Sequence, residues 1–61
     1  MTPHAYLTQI RLESARAALR RAVPIAEAAI HAGFYDQAAL TRIFKRCYGI
    51  TPLQFAQAAR A

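Results

Sequence analysis

Acidic side chains are scarce in this 61-residue chain: three Asp and Glu stand against eight Lys and Arg, for a formal net charge of +5. Glu13, Glu27 and Asp36 are spread along the chain and form no pair, which argues against acid–base catalysis by paired carboxylates. Cysteine is almost absent too. Cys47 stands alone, so no internal disulfide can form, and it is expected as a small core residue on the apolar face of its helix. His4 and His31 share no ligand spacing with it, so neither a metal site nor an enzyme active centre is expected, and no cofactor. No apolar run approaches the roughly 18 residues that suggest a membrane span. The N-terminus lacks the basic segment and apolar run of a secretory signal, so a soluble cytoplasmic protein is expected. Tryptophan is missing, and much of the 56% hydrophobic content is alanine, which leaves a thin core. A chain this small without disulfide or metal is marginal alone, so it should need a partner or belong to something longer.

The stretch from Gly33 to Gly49 carries most of the information. Advancing each residue from Gln37 to Tyr48 by about 100°, as in an α-helix, puts Leu40, Ile43, Phe44 and Cys47 on one side. Ala38, Thr41, Arg42, Lys45 and Arg46 fall on the other. Asp36 suits the N-cap, Gly49 the left-handed position past the end, and Pro52 blocks continuation. Before this helix, Pro24 to Ala32 predicts a short helix with proline in its first turn, stopped at Gly33. A short helix, a tight turn with glycine and a longer basic helix form the signature of a helix-turn-helix. In that motif the second helix enters the DNA major groove with its N-terminal residues at the base edges, here Gln37, Ala38, Thr41 and Arg42.

The flanks complete an all-α architecture of four helices, without repeats or linkers. Thr2 caps and Pro3 opens a long helix over residues 2–22. It carries two apolar stripes: Leu12, Ala15, Leu19 and Ala22 on one face, Tyr6 and Ile10 with Leu7 nearby on the other. The first stripe should pack on the helix-turn-helix of residues 24–48; the second is left without a neighbour unless the last helix folds back over it. Ile50 anchors the next turn, Thr51 caps, and Pro52 starts a short helix over 52–60 that points Phe55 inward and frays towards Ala61.

These residues resemble the AraC/XylS family of bacterial transcription regulators. The likeness runs through Tyr6-Leu7, Arg11-Leu12, Ala15-Arg16 and Leu19, then Ile25-Ala26-Glu27, Gly33-Phe34, Asp36-Gln37, Leu40, Arg42, Phe44-Lys45, Gly49-Ile50-Thr51-Pro52 and Phe55. Gly-Phe, Arg-x-Phe-Lys and Gly-Ile-Thr-Pro at these separations are specific, and the likeness covers essentially the whole chain. The resemblance implies a long linker helix followed by the second of two homeodomain-like helix-turn-helix units, with the Tyr6/Ile10 stripe turned towards the first. It also implies a truncated regulator, a reading frame opened at an internal Met, or a deliberate fragment, with no small-molecule effector site of its own. Three departures stand out: Ala28 and Ala39, where the family carries larger residues, and Ala56, where it often carries Arg.

Double-stranded DNA is therefore the expected partner, in the nucleoid. Arg42 suits guanine O6 and N7, Gln37 suits adenine N6 and N7, and the methyl groups of Ala38 and Thr41 suit a thymine methyl. Lys45 and Arg46 should hold phosphates, with Arg20 of the long helix as a further phosphate contact. Arg16, Arg20 and Arg21 are otherwise read as a solvated face or as partners of Glu13. The competing expectation is a protein-interaction module: the Tyr6/Ile10 stripe docking on a full-length regulator or RNA polymerase, or on a second copy of the chain.

Overall fold

Each helix boundary follows from local chemistry. In the computed structural model, which describes residues 2–60, Thr2 Oγ1 accepts the Ala5 N–H at 3.1 Å and Pro3 fills the first helical position. Helix α1 spans Pro3–Arg20 and ends two residues before the expected limit. Ala22 takes the left-handed conformation, φ +63°. Its N–H bonds the Leu19 carbonyl, and the Val23 N–H bonds the Ala18 carbonyl, both at 3.1 Å. This pair of bonds is a Schellman closure. It takes Ala22 off the Leu12/Leu19 face and leaves it exposed, so Ala22 is not the core residue that helical periodicity suggested.

Helix α2 spans Ile25–Ala32, with Pro24 one position before its first turn rather than within it. A second Schellman closure ends it: Gly33 sits at φ +97°, its N–H bonds Ile30, and the Phe34 N–H bonds Ala29 at 2.9 Å. The buried Phe34 and Ala29 supply the apolar contact that accompanies this motif. Helix α3 spans Gln37–Tyr48, and the Asp36 carboxylate accepts the Ala39 N–H at 2.8 Å. Gly49, at φ +80°, closes it with an N–H to the Lys45 carbonyl. Helix α4, Pro52–Arg60, opens on a reciprocal capping box: Gln54 N–H to Thr51 Oγ1 at 3.1 Å, and Thr51 N–H to Gln54 Oε1 at 2.9 Å. The expected fraying at Ala61 lies outside the described residues, among which there are four helices and no strand.

Packing runs α1 on α2 and α4, α2 on α3, and α3 on α4. The large core side chains are Leu12, Leu19, Phe34, Leu40 and Phe44; Ala15, Ala18, Ala28, Ala29, Ala32 and Ala56 make up the rest of the buried cluster. Small residues let the helix backbones approach closely, and the core is correspondingly thin. Phe55 packs against it from the side, whereas Ile50 is 37% exposed and stands outside that cluster. Ala56 is buried, so this departure changes the core and not only the surface charge. The body measures 35 × 21 × 18 Å, and α1 is its longest element. Burial on α1 is concentrated from Leu12 onwards; Tyr6, Leu7 and Ile10 remain 60, 42 and 44% exposed. Helix α4 lies against α1 without covering them.

Candidate nucleic-acid interface

Helix α3 separates its faces as its sequence requires. Leu40 and Phe44 are fully buried, and Ile43 and Ala39 pack beside them. Opposite, Ala38, Arg42, Lys45 and Arg46 are exposed and Thr41 is half-buried. Ala38, Thr41, Arg42 and Lys45 follow the three- and four-residue spacing of one helix face, which brings them together. Gln37 is also exposed, but it stands about 140° round the helix from Arg42, on the flank of the first turn.

Cys47 corrects the sequence expectation. Two turns beyond Leu40, it returns to within about 20° of the same direction, yet it is exposed. The angle was right and the axial position was not. Helices of this motif cross at a large angle, and α2 has only eight residues. The last turn of α3 therefore runs past the element that buries its first two.

That last turn is held by other groups. Phe44 meets Tyr48 edge-on with ring centroids 4.7 Å apart, and meets Phe55 of α4 at 5.7 Å. Over these rings lie two guanidinium groups from α1. Arg16 Cζ stands 5.1 Å from the Tyr48 centroid and 5.8 Å from that of Phe55; Arg20 Cζ stands 5.6 Å from Phe55. Arg16 is half-buried and Arg20 exposed. The sequence expectation gave both a solvated flank or a pairing with Glu13, and Arg20 a phosphate as well; ring partners so distant in the chain leave no mark in local spacing.

Tyr35 was also missed. Of the two residues between Gly33 and Asp36, Phe34 is 8% exposed and Tyr35 is 90% exposed. The signal was available: the residue after a left-handed glycine in a Schellman closure packs back on its helix, which sends Phe34 in and its neighbour out. Tyr35 thus stands bare beside the N-cap of α3.

Among the described residues no pocket opens into the fold, and no His, Cys, Asp and Glu side chains converge as metal ligands would. No described helix is long and apolar enough to cross a membrane. What the molecule offers a partner is surface: a basic helix face and an apolar stripe. A family model for a helix-turn-helix domain matches residues 1–58. No match was found among curated proteins or among solved structures.

Proposed function

From a chain that belongs to the AraC-type helix-turn-helix family, a family of DNA-binding regulators, we propose that α3 reads the major groove while basic side chains around it hold the phosphates. The observation that carries this is the exposed face of α3, on which Ala38, Thr41 and Arg42 precede Lys45 and Arg46 from a capped N-terminus. Arg42 takes guanine in bidentate fashion, worth about 1–3 kcal/mol of discrimination. Gln37 reaches an adenine from the flank, and Ala38 and Thr41 present methyl groups to thymine. Lys45, Arg46 and Arg20 neutralise phosphates, which fixes register without specifying sequence.

Fluorescence anisotropy of a labelled duplex at several salt concentrations tests this. Three phosphate contacts give a slope of log affinity against log salt of about −2.7, whereas the full complement of Lys and Arg acting as unspecific charge would give about −7. Lys45→Ala/Arg46→Ala should make the slope shallower by about 1.8. Arg42→Ala should weaken a duplex selected from a random library far more than a random one. A slope untouched by the double substitution, or equal losses on both duplexes for Arg42→Ala, would refute the assignment.

A protein-facing role for α1 has separate support in the exposure of Tyr6, Leu7 and Ile10. Covering this stripe with a second protein surface, whether of a regulator, of RNA polymerase or of another copy, would remove apolar area from water. Ile10→Ser should then abolish self-association seen by sedimentation at high concentration; a monomeric wild type excludes the second copy.

A further inference from the structure

Helix α3 packs on α2 and α4, while α1 packs chiefly on those same two helices. The orientation of α3 relative to the long helix is thus set largely at second hand. One arginine of α1, Arg16, bridges the gap directly, and a second, Arg11, reaches the turn before α3. The stem of Arg11 crosses the turn that leads into α3: a Cβ placed on Gly33 would lie 3.0 Å from Arg11 Nε and 3.4 Å from its Cδ. The guanidinium of Arg16 lies over Tyr48, in the last turn of α3, and reaches Phe55 of α4. One arginine thus marks each end of the helix, at the turn before it and on its final ring.

We propose that Arg16 is a positioning residue for α3: by stacking on Tyr48 and Phe55 it fixes the tilt at which the helix presents Arg42, and it holds no phosphate. The inference rests on the DNA-reading role of α3 proposed above. A planar cation over an aromatic face is attracted by the ring quadrupole, and a guanidinium stacks flat where an ammonium cannot. Tyr48 is 37% exposed; besides its edge-on contact with Phe44 of the same helix, the Arg16 guanidinium ties this last turn of α3 to α1. Bidentate base contacts depend on helix orientation, while phosphate attraction is long-ranged and tolerant. Loosening this end should therefore cost sequence discrimination before it costs general DNA affinity.

The test compares the wild type with Arg16→Met, Arg16→Lys and Tyr48→Leu. Each is titrated against a duplex that the wild type selects from a random library and against a random duplex, over a range of salt. For Arg16→Met the ratio of selected to random affinity should fall about fivefold. The salt slope should stay unchanged, and Arg16→Lys should restore the ratio only in part. Arg16→Met combined with Tyr48→Leu should be no worse than either alone, as expected of two groups sharing one contact. A role in stability alone would lower the folded fraction and scale both affinities together, leaving the ratio where it was. An unchanged ratio in a folded variant overturns the proposal, and so does a slope shallower by about 0.9, which would make Arg16 a phosphate ligand. Should Arg16→Met fail to fold, Arg16→Lys and Tyr48→Leu decide by the same ratio. A wild type that selects no sequence sinks the DNA-reading role and this inference with it. A normal wild type with an unmoved ratio sinks this inference alone.

Discussion

Ala22 is the only described non-glycine residue with positive φ, and it stands where α1 gives way to the helix-turn-helix. Its conformation is imposed by the Schellman closure, whose two hydrogen bonds satisfy the Leu19 and Ala18 carbonyls at the end of α1. An L-residue with a Cβ pays about 1–2 kcal/mol for the left-handed region. Glycine there avoids that strain but loses about 0.5–1 kcal/mol more conformational freedom on folding. Ala22→Gly should therefore stabilise the domain by about 0.5–1 kcal/mol net, raising the melting temperature by about 2–8 °C for a domain of this size. Ala22→Val, with a branched Cβ in the same conformation, should melt below the wild type. Circular dichroism at 222 nm under heating reads both, and urea unfolding should show the glycine variant's midpoint moving up with an unchanged slope. Ala22 is not among the side chains assigned to DNA, so DNA affinity per folded molecule should not change. A glycine variant that melts at or below the wild type would refute the reasoning, since the exposed Ala22 has no place in the buried core whose loss could explain it.

Two further substitutions probe the elements that place the exposed face of α3. Asp36→Ala removes the carboxylate that accepts the Ala39 N–H; it should cost about 1 kcal/mol, while Asp36→Ser, which retains a capping oxygen, restores most of it in the same melts. Phe44→Ala empties the largest fully buried site and should cost about 3–5 kcal/mol. That is comparable with the total stability of a chain this long, about 3–9 kcal/mol. Loss of the cooperative thermal transition is the expected result, and a sharp melt near the wild-type temperature would contradict it.

The helix order was legible because every boundary is written in short-range chemistry. Thr2-Pro3, Asp36, Gly49 and Thr51-Pro52 each act within three or four residues, a distance at which sequence and structure are nearly the same information. The exposed face of α3 was legible for the same reason, through angular spacing alone. What escaped depends on a third dimension. Cys47 has the right angle and the wrong height, because periodicity does not say how far along its axis a helix is covered. Ala22 looked helical because its apolar period fits, while the following Val23-Pro24 pushes the chain out of the helix and leaves Ala22 to make the reversal. Ala56, the position where the resemblance leads one to expect Arg, has its Cβ enclosed; a long side chain at that site would have to thread outwards with its stem along the core. The stacking of Arg16 on Tyr48 joins residues far apart in the chain, and no local rule anticipates it.

That stacking changes what the basic composition means. A net charge of +5 invites counting every cation towards an anionic partner, but the fold divides the arginines by task. Arg11 runs across the turn at Gly33 and Arg16 lies half-buried on two rings, so both are committed to the frame that carries α3. Arg20 rests on Phe55 yet keeps its exposure, which lets it serve the packing and still meet a phosphate. Arg42, Lys45 and Arg46 stand exposed on α3 itself. A core built so largely of alanine has little apolar area with which to fix one helix against another, and a guanidinium is well suited to supplement it. It spreads a flat, weakly hydrated face over aromatic rings while its outer edge stays in water, so the contact forms without burying an unpaired charge. On the proposals made above, cations orient the helix as well as attract its partner. The two uses separate cleanly by salt, because screening weakens attraction to a polyanion far more than it weakens a short-range stack inside the fold.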